Sequence, residues 1–188
     1  MICLGHNKEN LCNWAGTFCF VSIDNQDFQR AWFSNYLFMN NDRPFSPEEF
    51  KAIFSKVPRL CVELVIKTPE GIILALRSLP TWSGQWHLPG GTVFYKEKIA
   101  HAIERIAKDE LGISVNIQRL LGYIEYPSEE KERGFGSTVG MIFLCSHNKV
   151  TDIKPNNDEA SEIKIFKELP PNIVEEHHKF LKSIWKEI

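Results

Sequence analysis

The stretch 88-LPGGTVFYKEKIAHAIERIAKDELG-112 decides how this chain is read. From about Glu97 to Leu111 the apolar residues Ile99, Ala100, Ala102, Ile103, Ile106, Ala107 and Leu111 recur at steps of three and four. That period predicts a helix with one face on a core, and Gly112 is placed to cap its C-terminus. Glu110 follows Ile106 by four residues and Ile103 by seven, so it points along the apolar stripe. A carboxylate there is costly to desolvate without a compensating charge. Arg105 is one candidate partner, with Asp109 four residues on; a metal ion is the other. Gly90-Gly91 allows close backbone approach to a ligand and can present a carbonyl to a cation. Hard cations such as magnesium take oxygen ligands of this kind and keep waters for substrate phosphates.

Read as G-TVFYK-E-KIAHAIE-R-I-A-K-D-E-L-G-I from Gly91 to Ile113, the stretch resembles the Nudix box, G-x5-E-x7-R-E-U-x-E-E-x-G-U with U aliphatic. The spacing is complete. Asp109 stands for the first Glu of the final pair and keeps its charge, whereas Ile106 stands where the box has a Glu after Arg. The GDP-mannose mannosyl hydrolase branch also lacks that Glu, and the likeness to it extends over roughly residues 44 to 187. The resemblance implies an α/β fold, a Nudix-like α/β/α sandwich with a mixed β-sheet. It also implies a magnesium-dependent enzyme, with manganese as a possible substitute.

Carried over residue by residue, the resemblance makes the Gly90 carbonyl, Asp109, Glu110 and Glu159 metal ligands. Arg105 and Arg77 meet the substrate, Arg105 steadying a leaving diphosphate. Glu63 stands where the branch has a site Asp, and Arg105 and Glu110 are the catalytic pair. Gly91, Glu97 and Gly112 are structural parts of the box. The chain departs from the branch at Thr92 (a second Arg there), Ala160 (its catalytic His) and Tyr126 (another site His). Three functions follow: a hydrolase of a nucleoside diphosphate sugar cutting at the sugar carbon, a pyrophosphohydrolase cutting at phosphorus, or a nucleotide-binding protein with a weak site.

With 188 residues and 43% apolar content, the chain can bury a substantial core. A formal charge of −2 gives no electrostatic footprint for nucleic acid. No apolar run reaches membrane-spanning length. The five cysteines are scattered without a CxxC pair, which argues against zinc and for reduced thiols in a cytoplasmic setting. The expected partner is a small nucleoside diphosphate derivative, with a homodimer implied by the branch.

Outside the box, Ser46-Pro47-Glu48-Glu49 starts a helix running to about Lys56. Leu60–Lys67 and Ile72–Arg77 read as a hairpin that sets Cys61, Glu63 and Val65 on one face. On this pattern alone Glu63 fits a rim position as well as a site. Trp82 and Trp86 fit a core cover or a stacking platform. Val115–Tyr126 and Ser137–Ser146 are further strands, and Pro127–Gly136 reads as a mobile, charged loop at the mouth. A closing helix spans Pro171–Ile188, with His177-His178 as a solvated pair. The domain is therefore 44–188. Residues 1–43 form an extension, with a strand expected at Gly16–Ile23 and a short helix at Asp27–Phe38.

Overall fold

Helix α1, Pro47–Phe54, opens the described part of the chain and begins as expected. The Ser46 hydroxyl accepts from the Glu49 N–H at 3.2 Å, while the Glu49 carboxylate accepts from the Ser46 N–H at 2.9 Å. A computed structural model describes residues 45–148, 153–155 and 159–188, so the expectations for 1–43 lie outside the described residues.

Strand β1 (Arg59–Thr68) is the centre of the sheet. It pairs antiparallel with β2 (Gly71–Arg77) and β4 (Gly90–Thr92), and parallel with β6 (Thr138–Ser146). Beyond β2 lie β3 (Trp86–His87) and β7 (Ala160–Phe166), and β5 (Asn116–Glu125) flanks β6, all antiparallel. The result is a mixed sheet of seven strands. Cys61 through Ile66 are all buried, a continuous run that fits a strand covered on both faces.

Two apolar clusters occupy those faces. Val62, Leu64 and Ile66 pack with Ala102, Ile103, Ile106, Ala107 and Leu111 of helix α2 (Ile99–Leu111). Val65, Leu74 and Ile142 pack with Ile173 and Leu181, the latter on helix α4 (Glu175–Ile184). Burying one such side chain contributes about 1.5–3 kcal/mol. The expected α/β/α sandwich is therefore present. Gly112 ends α2 in the left-handed region, φ 68°, and its N–H bonds to the Lys108 carbonyl at 3.0 Å.

Two expectations need correction. Pro127–Gly136 is not a free loop: it contains helix α3 (Glu129–Arg133), whose Glu129 and Arg133 are buried. The Glu129 carboxylate accepts from Arg59 at 2.9 Å and from the Thr138 hydroxyl at 2.6 Å, tying α3 to the starts of β1 and β6. Nor is His177 part of a solvated pair; it is 4% exposed and accepts a hydrogen bond from the Leu88 N–H. Among the described residues, no helix is long and apolar enough to cross a membrane.

Candidate active site

Strands β1 and β4, helix α2 and the ends of β2 and β6 surround a cavity of about 310 Å³. It is lined by Glu63, Arg77, Gly90, Gly91, Arg105, Asp109, Glu110 and Glu159, so the residues expected to carry chemistry converge on one place.

Glu63 rises from the middle of β1 beside Gly90, its register partner on β4. The two fit because residue 90 has no side chain. A Cβ there would stand 1.9 Å from Glu63 Oε2. On the other flank a Cβ at Gly140 of β6 would stand 3.0 Å from Glu63 Cγ. Glycines on both neighbouring strands thus make room for a buried carboxylate. Burial pushes the Glu63 carboxyl up to about 8, opposed by a hydrogen bond from Tyr126 and by the charges of Arg59 and Arg77.

Glu110 comes from the last turn of α2 and accepts from the Gly90 N–H at 3.2 Å. Burial, then the negative charges of Glu159 and Glu63, hold its carboxyl well above the usual range. Arg77 counters these carboxylates. Its own Nε donates to the Thr81 carbonyl at 2.7 Å, and its guanidinium lies 5.9 Å from the Trp82 ring.

Arg105 does not pair with Asp109. It grips Glu97 with Nε and Nη2, at 2.7 and 2.8 Å, and donates to the Thr92 carbonyl at 3.0 Å. Its guanidinium lies 4.0 Å from the Phe94 ring. Glu97 in turn accepts from the Phe94 N–H at 2.9 Å, so the box arginine and glutamate hold the 92–97 loop against α2. Ile106 is 2% exposed and belongs to the apolar cluster beneath Gly91.

Sequence reasoning missed His177 and placed Tyr126 at a site position only as a departure from the branch. The His177 Nδ1 accepts from the Leu88 N–H at 3.0 Å, and its Nε2 lies 2.5 Å from the Tyr126 hydroxyl. That hydroxyl bonds to Glu63. Burial keeps His177 neutral, its pKa lowered well below the ordinary value. The alternating Ile163 and Ile165 of β7 offered a readable strand signal. No comparable signal marked His177, whose partners lie 89 and 51 residues away.

The match to the family model for the NUDIX domain covers residues 57–184. The chain belongs to the NUDIX family. Among curated relatives it is 40% identical over 130 residues to low-salt glycan biosynthesis protein Agl8 of Haloferax volcanii, covering 66% of this chain and 79% of that one. It is 26% identical over 132 residues to an ADP-ribose pyrophosphatase of Methanocaldococcus jannaschii, covering 69% and 75%. Among solved structures, a NUDIX hydrolase from Nitrosomonas europaea matches with a TM-score of 0.59 at 24% identity, over 69% of this chain and 71% of that one, a likeness of fold. The chain is a NUDIX hydrolase, an enzyme of nucleoside diphosphate derivatives, and the family generally uses a divalent metal ion.

The donor set suits such an ion. Glu159 and Glu63 both raise the proton affinity of Glu110, an acidic crowd that a hard cation relieves. Among the described residues, no three His, Cys, Asp or Glu side chains form a closed metal cage. An ion bound partly by a backbone carbonyl, water and substrate phosphate does not need one.

Proposed function

We propose that this NUDIX enzyme hydrolyses a nucleoside diphosphate sugar, in the presence of magnesium, to a nucleoside diphosphate and free sugar. The observation that carries this reading is the placement of carboxylates. Position 106 of α2, where the box has a Glu, is an apolar core residue, while β1 supplies a buried carboxylate, Glu63, directly above Gly90. The name of the Agl8 relative, a glycan biosynthesis protein, supports a sugar-linked substrate.

In this reading the Gly90 carbonyl, Asp109, Glu110 and Glu159 hold magnesium, with manganese able to replace it. The ion supplies charge neutralisation for the diphosphate. Arg77 faces that diphosphate. Arg105, gripped by Glu97, shapes the 92–97 loop and keeps its charge at the same wall. Glu63 faces the sugar, and the buried floor around it limits water to the molecule that attacks the anomeric carbon. The bond from that carbon to the diphosphate oxygen breaks, the diphosphate leaves with the bonding electron pair, and the proton given up by the attacking water passes to bulk solvent.

A second reading, attack at phosphorus, is favoured by the similarity to an ADP-ribose pyrophosphatase. Turnover of a nucleotide-sugar panel in oxygen-18 water with magnesium separates the two. Label in the free sugar supports the proposal; label in a phosphate product overturns it in favour of the second reading. No turnover of any substrate overturns both in favour of a nucleotide binder.

A further inference from the structure

Glu63 does not stand alone in the floor of the site. Beside it in the cavity wall, Tyr126 directly follows β5 and His177 projects from α4, and both are buried. The Leu88 N–H fixes the directions of the first two hydrogen bonds. The Leu88 N–H must donate, so the His177 Nδ1 accepts and carries a lone pair. A neutral ring then has its proton on Nε2, which donates to the Tyr126 oxygen at 2.5 Å. The Tyr126 O–H is thereby left to donate to the Glu63 carboxylate.

We infer that His177 and Tyr126 are positioning residues: one relay, Leu88 N–H to His177 to Tyr126 to Glu63, that fixes the glycine loop and the Glu63 carboxylate in a common frame. This inference rests on the proposed role of Glu63 toward substrate. Its basis is the geometry. The relay joins three separate elements, β1, β5 and α4, to the residue that opens the glycine loop. His177 Nε2 lies 3.9 Å from Glu63 Oε2, beyond hydrogen-bond reach, so the tyrosine hydroxyl carries the link between them. Buried polar chains of this sort hold a group in one orientation because each lost bond leaves an unsatisfied partner. His87 packs alongside, its ring centre 6.5 Å from that of His177, and the charge of Arg77 disfavours protonation of both rings. Burial keeps both imidazoles neutral, His87 at a pKa of about 3, so no charge change reorders the chain near neutral pH.

The test is a double-mutant cycle of Tyr126→Phe and Glu63→Gln. Removal of an outer hydrogen-bond partner costs about 10- to 100-fold. Tyr126→Phe is expected to lower kcat about 10-fold with KM within about twofold, and to cost nothing further in the Glu63→Gln background. Multiplying effects would overturn the relay, since Tyr126 would then act independently of Glu63. A second readout is the nitrogen-15 spectrum of His177. The relay requires the Nε2–H tautomer in the unsubstituted protein. It also requires Glu63→Gln to shift the ring resonances only while residue 126 has its hydroxyl. An Nδ1–H tautomer, or a shift that persists in Tyr126→Phe, overturns it. If the protein turns over no nucleotide sugar, the proposed function fails while the spectrum still decides the relay. If Tyr126→Phe does not fold, the tautomer alone decides it.

Discussion

Arg105 and Glu97 meet through two parallel hydrogen bonds, 2.7 and 2.8 Å long, across the turn that feeds helix α2. The pair is partly exposed, with side-chain exposures of 27% and 14%, so its net worth is modest, about 1 kcal/mol. Its geometric effect is larger, because Glu97 also holds the Phe94 N–H and Arg105 the Thr92 carbonyl. Arg105→Lys keeps the charge and loses the fork. We expect a drop in melting temperature of a few degrees and a rise in KM of about 10-fold, read by thermal melting and steady-state kinetics. An unchanged KM would separate the loop from substrate binding.

Gly90→Ala places a methyl group 1.9 Å from Glu63 Oε2, so one of the two must move. We expect kcat to fall by about 100-fold, the scale of a misplacement of about 1 Å in a site. Gly140→Ala meets Glu63 Cγ at 3.0 Å and should cost less. Activity assays paired with circular dichroism check the order; a more active Gly90→Ala than Gly140→Ala would refute it.

Restoring the family carboxylate is predicted to fail. Ile106 is 2% exposed in an apolar cluster, and Ile106→Glu buries a charge there. Denaturant unfolding without metal should show a loss of about 2–4 kcal/mol. Oxygen-18 labelling should show the site of attack unchanged. A stable variant that switches to phosphorus would mean that the helix alone sets the chemistry.

Much of this was legible beforehand, and the boundary is instructive. Helix α2 announces itself through the spacing of Ile99, Ile103, Ile106 and Leu111, closed by Gly112, because helix packing and capping are local. The β1–β2 hairpin is local too. Glu63 could be placed on a strand but not beside its two glycines, since β4 and β6 reach it only through the sheet. His177 was opaque for the same reason. An adjacent histidine pair on an amphipathic helix looks like surface until Leu88 and Tyr126 arrive from distant parts of the chain.

Acidification should act through His177. Its folded pKa lies well below 6.5, with burial as the largest cause. Above pH 6.5 neither state is protonated and the group adds no pH dependence. Below it the unfolded chain takes up a proton that the folded ring refuses, so stability falls by about 1.4 kcal/mol per pH unit until the folded pKa is reached. His177→Gln removes this linkage. The stability advantage of the unsubstituted protein over the variant should shrink as pH drops from 6.5 to 5, measured by urea titration. A constant difference would show that His177 is protonated in the folded state.

Magnesium should stabilise the unsubstituted protein and not Glu110→Gln. At a hundredfold excess over its dissociation constant the gain is about 2.7 kcal/mol, visible as a rise in melting temperature that a chelator reverses. An equal rise in the variant would move the ion away from Glu110.

The carboxylate of Glu63 occupies volume surrendered by positions 90 and 140, which lie on two different strands. The three positions therefore behave as a single inherited character. A shorter acid at 63 would free space for a methyl group at 90, and a side chain at either glycine would have to be answered at 63. Among descendants of this chain, a side chain gained at position 90 should come together with a change at 63.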